Sequence, residues 1–113
     1  MVKTADTTKI ANVYVYAIPK TPNFSSLYPA ERQREIESTL NMKVKEEKYY
    51  AWKVLEYALD KTFGYKIEDF AFSKTQYGKW ETCGVYFSIS HSHRVVAVAV
   101  SNEPIGVDIE LVK

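Results

Sequence analysis

The chain has 113 residues and a mass of 13.0 kDa, which suits one domain with a modest core. Its 46% hydrophobic and 26% charged content argues against an intrinsically disordered chain. With a formal net charge of +1 there is no global electrostatic case for nucleic acid or for an anionic membrane surface, so neither is expected as a partner.

Cys83 is the only cysteine, so no disulfide can form within the chain, and a reducing, cytoplasmic setting is the natural expectation. A catalytic thiol is disfavoured, because neither histidine has an evident pairing with it. Residues 1–20 hold no apolar run long enough to cross a membrane, and Asn12 interrupts any signal-like stretch.

Residues 1–9 are polar and expected to fray. Over 10–18, Val13, Val15 and Ala17 alternate with Tyr14, Tyr16 and Ile18, which reads as a strand apolar on both faces and hence central or helix-covered. Pro19, Pro22, Asn23 and two serines make 19–26 a connection. Pro29 fits the first turn of a helix, where its missing N–H does no harm. Ile36 and Leu40, at i,i+4, give that helix a thin apolar stripe. A second helix is expected over 44–63, with Trp52, Leu55, Leu59 and Phe63 on one face and Gly64 as its stop. Tyr49, Tyr50 and Trp52 could form an aromatic box for a base or cofactor, but helical spacing favours packing. A short strand over 69–73 and a turn over 76–79 lead onward.

From 85 to 113, three apolar runs are separated by turn-like breaks at 91–94 and 101–104, the pattern of an antiparallel meander. In the third run Ile105, Val107, Ile109 and Leu111 alternate with Gly106, Asp108 and Glu110, so both carboxylates share one face. Their β-carbons should lie roughly 7 Å apart, within reach of one hard cation or its bound water. An ordinary solvated strand face shows the same alternation. An up-down-up path also brings His91 to the end of the sheet that holds Asp108 and Glu110. Ser88 and Ser90, facing away from Val85, Phe87 and Ile89, offer a polar face suited to phosphate.

Phe87-Ser88-Ile89-Ser90-His91-Ser92, followed by Gly106-Val107-Asp108-Ile109-Glu110, resembles the two leading motifs of the Sfp-type 4'-phosphopantetheinyl transferases. In the smaller holo-acyl-carrier-protein synthases the related pieces stand in the opposite order. The resemblance implies an α+β fold: a mostly antiparallel sheet with a C-terminal three-stranded meander packed on two helices. Residues 1–113 would form the N-terminal lobe of a two-lobed enzyme. It further implies a coenzyme A site. Gly78-Lys79 looks like the start of the family's Gly-Lys-Pro segment, whose lysine meets the 3'-phosphate; Trp80 stands where proline is usual. His91, with Ser90 beside it, matches the histidine that contacts the nucleotide phosphate. Lys53 and Arg34 align with basic residues near the nucleotide, and Asp108 and Glu110 with the magnesium-binding carboxylates.

The implied reaction is attack by a serine hydroxyl of an acyl or peptidyl carrier protein on the β-phosphate of coenzyme A. The family's third motif, Trp-x-x-Lys-Glu, has no counterpart, since Trp52-Lys53-Val54-Leu55-Glu56 has the wrong spacing. Catalysis would then need a missing C-terminal lobe or a second copy of the chain. The competing expectation is an inactive remnant, or a non-catalytic binding or dimerisation domain that keeps the fold.

Overall fold

The computed structural model of the protein describes residues 10–104. The expectations for 1–9 and for the third strand of the meander, with Asp108 and Glu110, lie outside the described residues. The elements are β1 (Ala11–Ala17), α1 (Ala30–Glu37), α2 (Met42–Phe63), a 3₁₀ turn (Ile67–Asp69), β2 (Phe72–Lys74), β3 (Trp80–Thr82), β4 (Tyr86–Ser92) and β5 (Val95–Ser101). Together they make an α+β domain with two antiparallel sheets, β1-β5-β4 and β2-β3.

The central strand is β5, and its sequence explains why. Val95-Val96-Ala97-Val98-Ala99-Val100 has no charged side chain, as a strand covered on both faces requires. Val96, Val98 and Val100 are fully buried in the core, and Ala97 and Ala99 on the opposite face are buried too. Helix α2 supplies the facing layer with Trp52, Leu55 and Leu59, all essentially inaccessible. Burying such side chains contributes about 1.5–3 kcal/mol each. Asn41 starts the helix by accepting the Val44 N–H through its side chain at 3.1 Å. Gly64 ends it at φ 71°, a left-handed conformation that a residue with a Cβ resists.

Three sequence expectations need correction. Strand β1 pairs antiparallel with β5, and among the described residues it has no second neighbour. Its Tyr14 and Tyr16 face meets α2 through ring contacts with Tyr57 and Tyr50, whereas Val13 is 53% and Val15 68% exposed. Alternation identified the two faces but could not say that only one is covered. Helix α1 stops at Glu37, before Leu40, which is 99% exposed. Ser38 and Thr39 turn their hydroxyls back to the Glu35 carbonyl, and Asn41 begins the next helix. Its buried stripe is therefore Arg32 and Ile36. The strand expected over 69–73 begins at Phe72, because Ile67–Asp69 coils into the 3₁₀ turn.

The first two runs of the meander form the β4–β5 hairpin, with His91 opposite Val96 and Ser92 opposite Val95. Only His93 and Arg94 make the turn, and both have positive φ, 49° and 69°. Such a two-residue turn ordinarily uses glycine or asparagine. Arg94 is kept by its side chain, which pairs with the buried Glu46 of α2, while its carbonyl accepts the Ile18 N–H at 2.8 Å. Among the described residues, no helix is long and apolar enough to cross a membrane.

The two turn residues should respond oppositely to glycine. His93→Gly should stabilise the fold by up to about 1 kcal/mol, because it removes the left-handed penalty at the loss only of an exposed hydrogen bond between His93 Nδ1 and Ser92 Oγ. Arg94→Gly removes the same penalty yet strands Glu46, and should destabilise by about 1–3 kcal/mol. Denaturant midpoints of the two variants test this.

Candidate functional site

The β2–β3 hairpin presents Lys79 through a turn closed at both ends by Thr75. The Thr75 N–H donates to the Lys79 carbonyl at 2.7 Å, and the Lys79 N–H to Thr75 Oγ1 at 3.1 Å. Gly78, at φ 84°, occupies the left-handed position that lets the chain return so tightly. Trp80 then projects its indole N–H onto Glu35 Oε1 at 2.9 Å, docking the hairpin against α1.

Lys79 thereby opens onto a cavity of about 350 Å³ that runs along β4 and is also lined by His91, Arg32, Lys48, Glu35 and Ser88. Lys79 and His91, two of the residues singled out by sequence, are brought together. His91 lies on the face of β4 that carries Phe87 and Ile89, and its Nδ1 sits 3.1 Å from Glu47 Oε1 on α2. A carboxylate only accepts, so Nδ1 carries the hydrogen and Nε2 is left for another partner. Ser90 points to the other face of β4 and is not among the walls of this cavity.

Two more sequence-selected residues lie elsewhere. Arg34 is exposed on α1, and Arg32, one position before Gln33, is the arginine that reaches the cavity. Lys53 lies five residues past Lys48 on α2, about 140° around the helix, so the two lysines occupy different flanks. Lys53 pairs with Glu56 at 3.2 Å and lines a separate tyrosine-rich cavity. Asp108 and Glu110 lie outside the described residues, among which no cluster of three or more histidine, cysteine or acidic side chains could hold a metal.

Sequence reasoning missed Arg32 and Lys48, although helical spacing marks both. Arg32 precedes the buried Ile36 by one turn, and Lys48 precedes Trp52, Leu55 and Leu59 on the packed face of α2. A cation placed on an apolar stripe is held there by partners or by a ligand.

Arg32 is 6% exposed. Its guanidinium lies 4.7 Å from the Trp52 ring centroid, donates to Glu35 Oε1 at 2.8 Å and to the Lys48 carbonyl at 2.9 Å. Its Nε is buried with no partner among the described residues. Burial pulls the Arg32 pKa below the ordinary guanidinium range, against the opposing pull of Glu35. Glu35 receives hydrogen bonds from Lys74, Trp80 and Arg32. Burial acts to raise its pKa, but those donors together outweigh burial and hold it at about 2. Lys48 stands 4.0 Å from Glu35 and bonds Thr39 Oγ1 at 3.1 Å, and Lys79 Nζ has no ion-pair partner among the described residues. Lys48 and Lys79 are thus the cations best placed to meet an incoming anion, with Nε2 of His91 beside them.

No family model matches the chain. A curated relative is similar over a short stretch: the 4'-phosphopantetheinyl transferase gsp of Aneurinibacillus migulanus, 46% identical over 44 residues. That stretch covers 38% of this chain and 19% of the relative, so the chain matches about a fifth of that enzyme's length. The likeness supports the phosphopantetheinyl transferase family.

The Glu35 contacts predict an acid limb in stability. Its folded pKa of about 2 lies below the ordinary value of 4.5, so its contribution is complete above about pH 4.5 and is lost as pH falls toward 2. Thermal melts between pH 2 and 7 should show this decline in the natural protein. In Glu35→Gln the melting temperature should be lower at pH 7 and flatter across the same window; an unchanged slope would remove Glu35 as the cause.

Proposed function

We propose that this chain is the coenzyme A-binding part of a magnesium-dependent 4'-phosphopantetheinyl transferase. The observation that carries the reading is the convergence of Lys79 and His91 on one cavity with Arg32 and Lys48, four cationic or potentially cationic groups from four elements or turns. A multiply charged phosphate ligand matches such a set, since each charge-assisted hydrogen bond adds direction as well as attraction. The partial likeness to a phosphopantetheinyl transferase supports the same reading.

On this proposal Lys79 and Lys48 hold the 3'-phosphate side of coenzyme A, and His91 meets the diphosphate through Nε2. Glu47 fixes the imidazole ring from α2, and Glu35 fixes the hairpin that carries Lys79. Arg32 is a positioning residue, wedged against Trp52 and tied to the Lys48 backbone. Asp108 and Glu110 would hold magnesium, for which carboxylate oxygens are fitting donors; when bound, the ion would neutralise diphosphate charge. A carrier-protein serine would form the new oxygen–phosphorus bond to the phosphopantetheine, and the bond to 3',5'-adenosine bisphosphate would break. Transfer would further require groups from a second lobe or a second copy of the chain.

Titration calorimetry with coenzyme A, in the presence and absence of magnesium, tests the proposal. Lys79→Ala and Lys48→Ala should each weaken binding about tenfold, the loss expected for one charge-assisted contact at a partly exposed site. Asp108→Ala should abolish the dependence on magnesium, and Lys53→Ala should change affinity less than about twofold. Binding that ignores magnesium and both lysines would overturn the reading.

A further inference from the structure

Lys53, like Arg34, is a sequence-selected cation that the phosphate cavity does not use. It stands on the opposite flank of α2, at a cavity of about 660 Å³ between β1 and the helix, the size at which small organic ligands are enclosed. Tyr14, Tyr16, Tyr49, Tyr50 and Tyr57 supply most of the wall.

The polar ends of three of these rings are engaged. Tyr50 Oη accepts the Asn23 N–H, and Tyr49 Oη the Ser25 N–H, each at 2.9 Å, while Tyr14 Oη lies 3.0 Å from Thr62 Oγ1. These three rings are therefore fixed through their hydroxyls, and what they have left to offer is chiefly carbon surface. Tyr16 stacks on Tyr50 at 5.8 Å and 27°, and Tyr57 meets Tyr14 edge-on at 5.6 Å. Tyr16 and Tyr57 remain 43% and 52% exposed, so both rings present surface at the mouth of the cavity. Held aromatic walls suit a flat, π-rich body, which gains from stacked and edge contacts without reorganising the protein.

Lys53 decides the sign of the ligand's charge. A ring-lined cavity alone would also suit an organic cation, but an ammonium fixed in the wall repels one. The Lys53–Glu56 pair, with side chains 39% and 42% exposed, is a solvent-facing pair that an incoming anion can replace at little loss. We propose that this cavity is a second binding site, distinct from the phosphate cavity, for a planar aromatic molecule bearing one negative charge.

The test titrates the whole chain with 2-naphthoate, its neutral alcohol 2-naphthylmethanol and the cation 2-naphthylmethylammonium, by calorimetry and by NMR shifts of the tyrosine rings. Saturable one-to-one binding is expected, with the anion at least about tenfold tighter than the cation. Lys53→Met should reduce that preference to about twofold or less, and Tyr16→Ala, at an exposed position, should weaken all three probes together. Lys79→Ala should leave naphthoate affinity unchanged, which separates this site from coenzyme A binding. Absence of saturable binding by the folded chain, equal affinity for anion and cation, or a preference that survives Lys53→Met would each overturn the proposal, whatever the outcome with coenzyme A.

Discussion

The guanidinium of Arg32 lies between the ring of Trp52 and the carboxylate of Glu35, and most of the domain's layers meet through that contact. Trp52 belongs to α2, touches Phe72 of β2, Trp80 of β3 and Phe87 of β4, and donates its indole N–H to the Tyr28 carbonyl before α1. Glu35 reaches from α1 to Lys74 and Trp80 of the small hairpin. Arg32 joins the two systems. An arginine so deeply buried is tolerated only because its charge is paired, its flat face lies on an aromatic ring and two of its donors are satisfied. The small sheet, with only two short strands, could not hold itself in place, and this junction sets where its turn, and so Lys79, ends up.

That arrangement also decides which cations remain available. Glu35 absorbs Arg32 and Lys74, so the acid in the cavity does not simply cancel the bases around it. It converts two of them into structure, pairs more loosely with Lys48 at 4.0 Å, and leaves Lys79 without an ion-pair partner among the described residues. Across α2 the chemistry changes: Lys53 stands among five tyrosines, of which Tyr49 and Tyr50 have their hydroxyls taken up by the connection between β1 and α1. One helix thus separates a polar cavity from an aromatic one, because its residues at 48 and 53 project about 140° apart.

Local pattern carried much of the fold. The long apolar periodicity of α2, its glycine stop and the paired runs of the β4–β5 hairpin were legible because each is written in contiguous residues. The pairing of β1 with β5 was not, since it joins residues more than seventy positions apart, and no alternation within β1 specifies its neighbour. The site shows the same division. Lys79 and His91 stood out through motif resemblance, and the hairpin register together with the Glu35 docking brings them to one cavity. Arg32 and Lys48 were passed over because a basic residue on a helix reads as solvated until its partners across the fold are known.

Trp80 stands where the Gly-Lys-Pro segment that Gly78-Lys79 resembles has proline. A proline after Gly78-Lys79 would fix the backbone at that point but would donate no hydrogen bond from either main chain or side chain. Tryptophan leaves the backbone freer and anchors instead at a distance, through its indole bond to Glu35 and its ring contact with Trp52 at 5.6 Å. Lys74, across the hairpin from Trp80 in register, lies 5.7 Å from the same ring and reaches the same carboxylate. The turn is thus held from its flanks and not by ring closure within it. On that account the aim of Lys79 depends on α1, and a change at Glu35 is felt at a lysine that Glu35 does not touch.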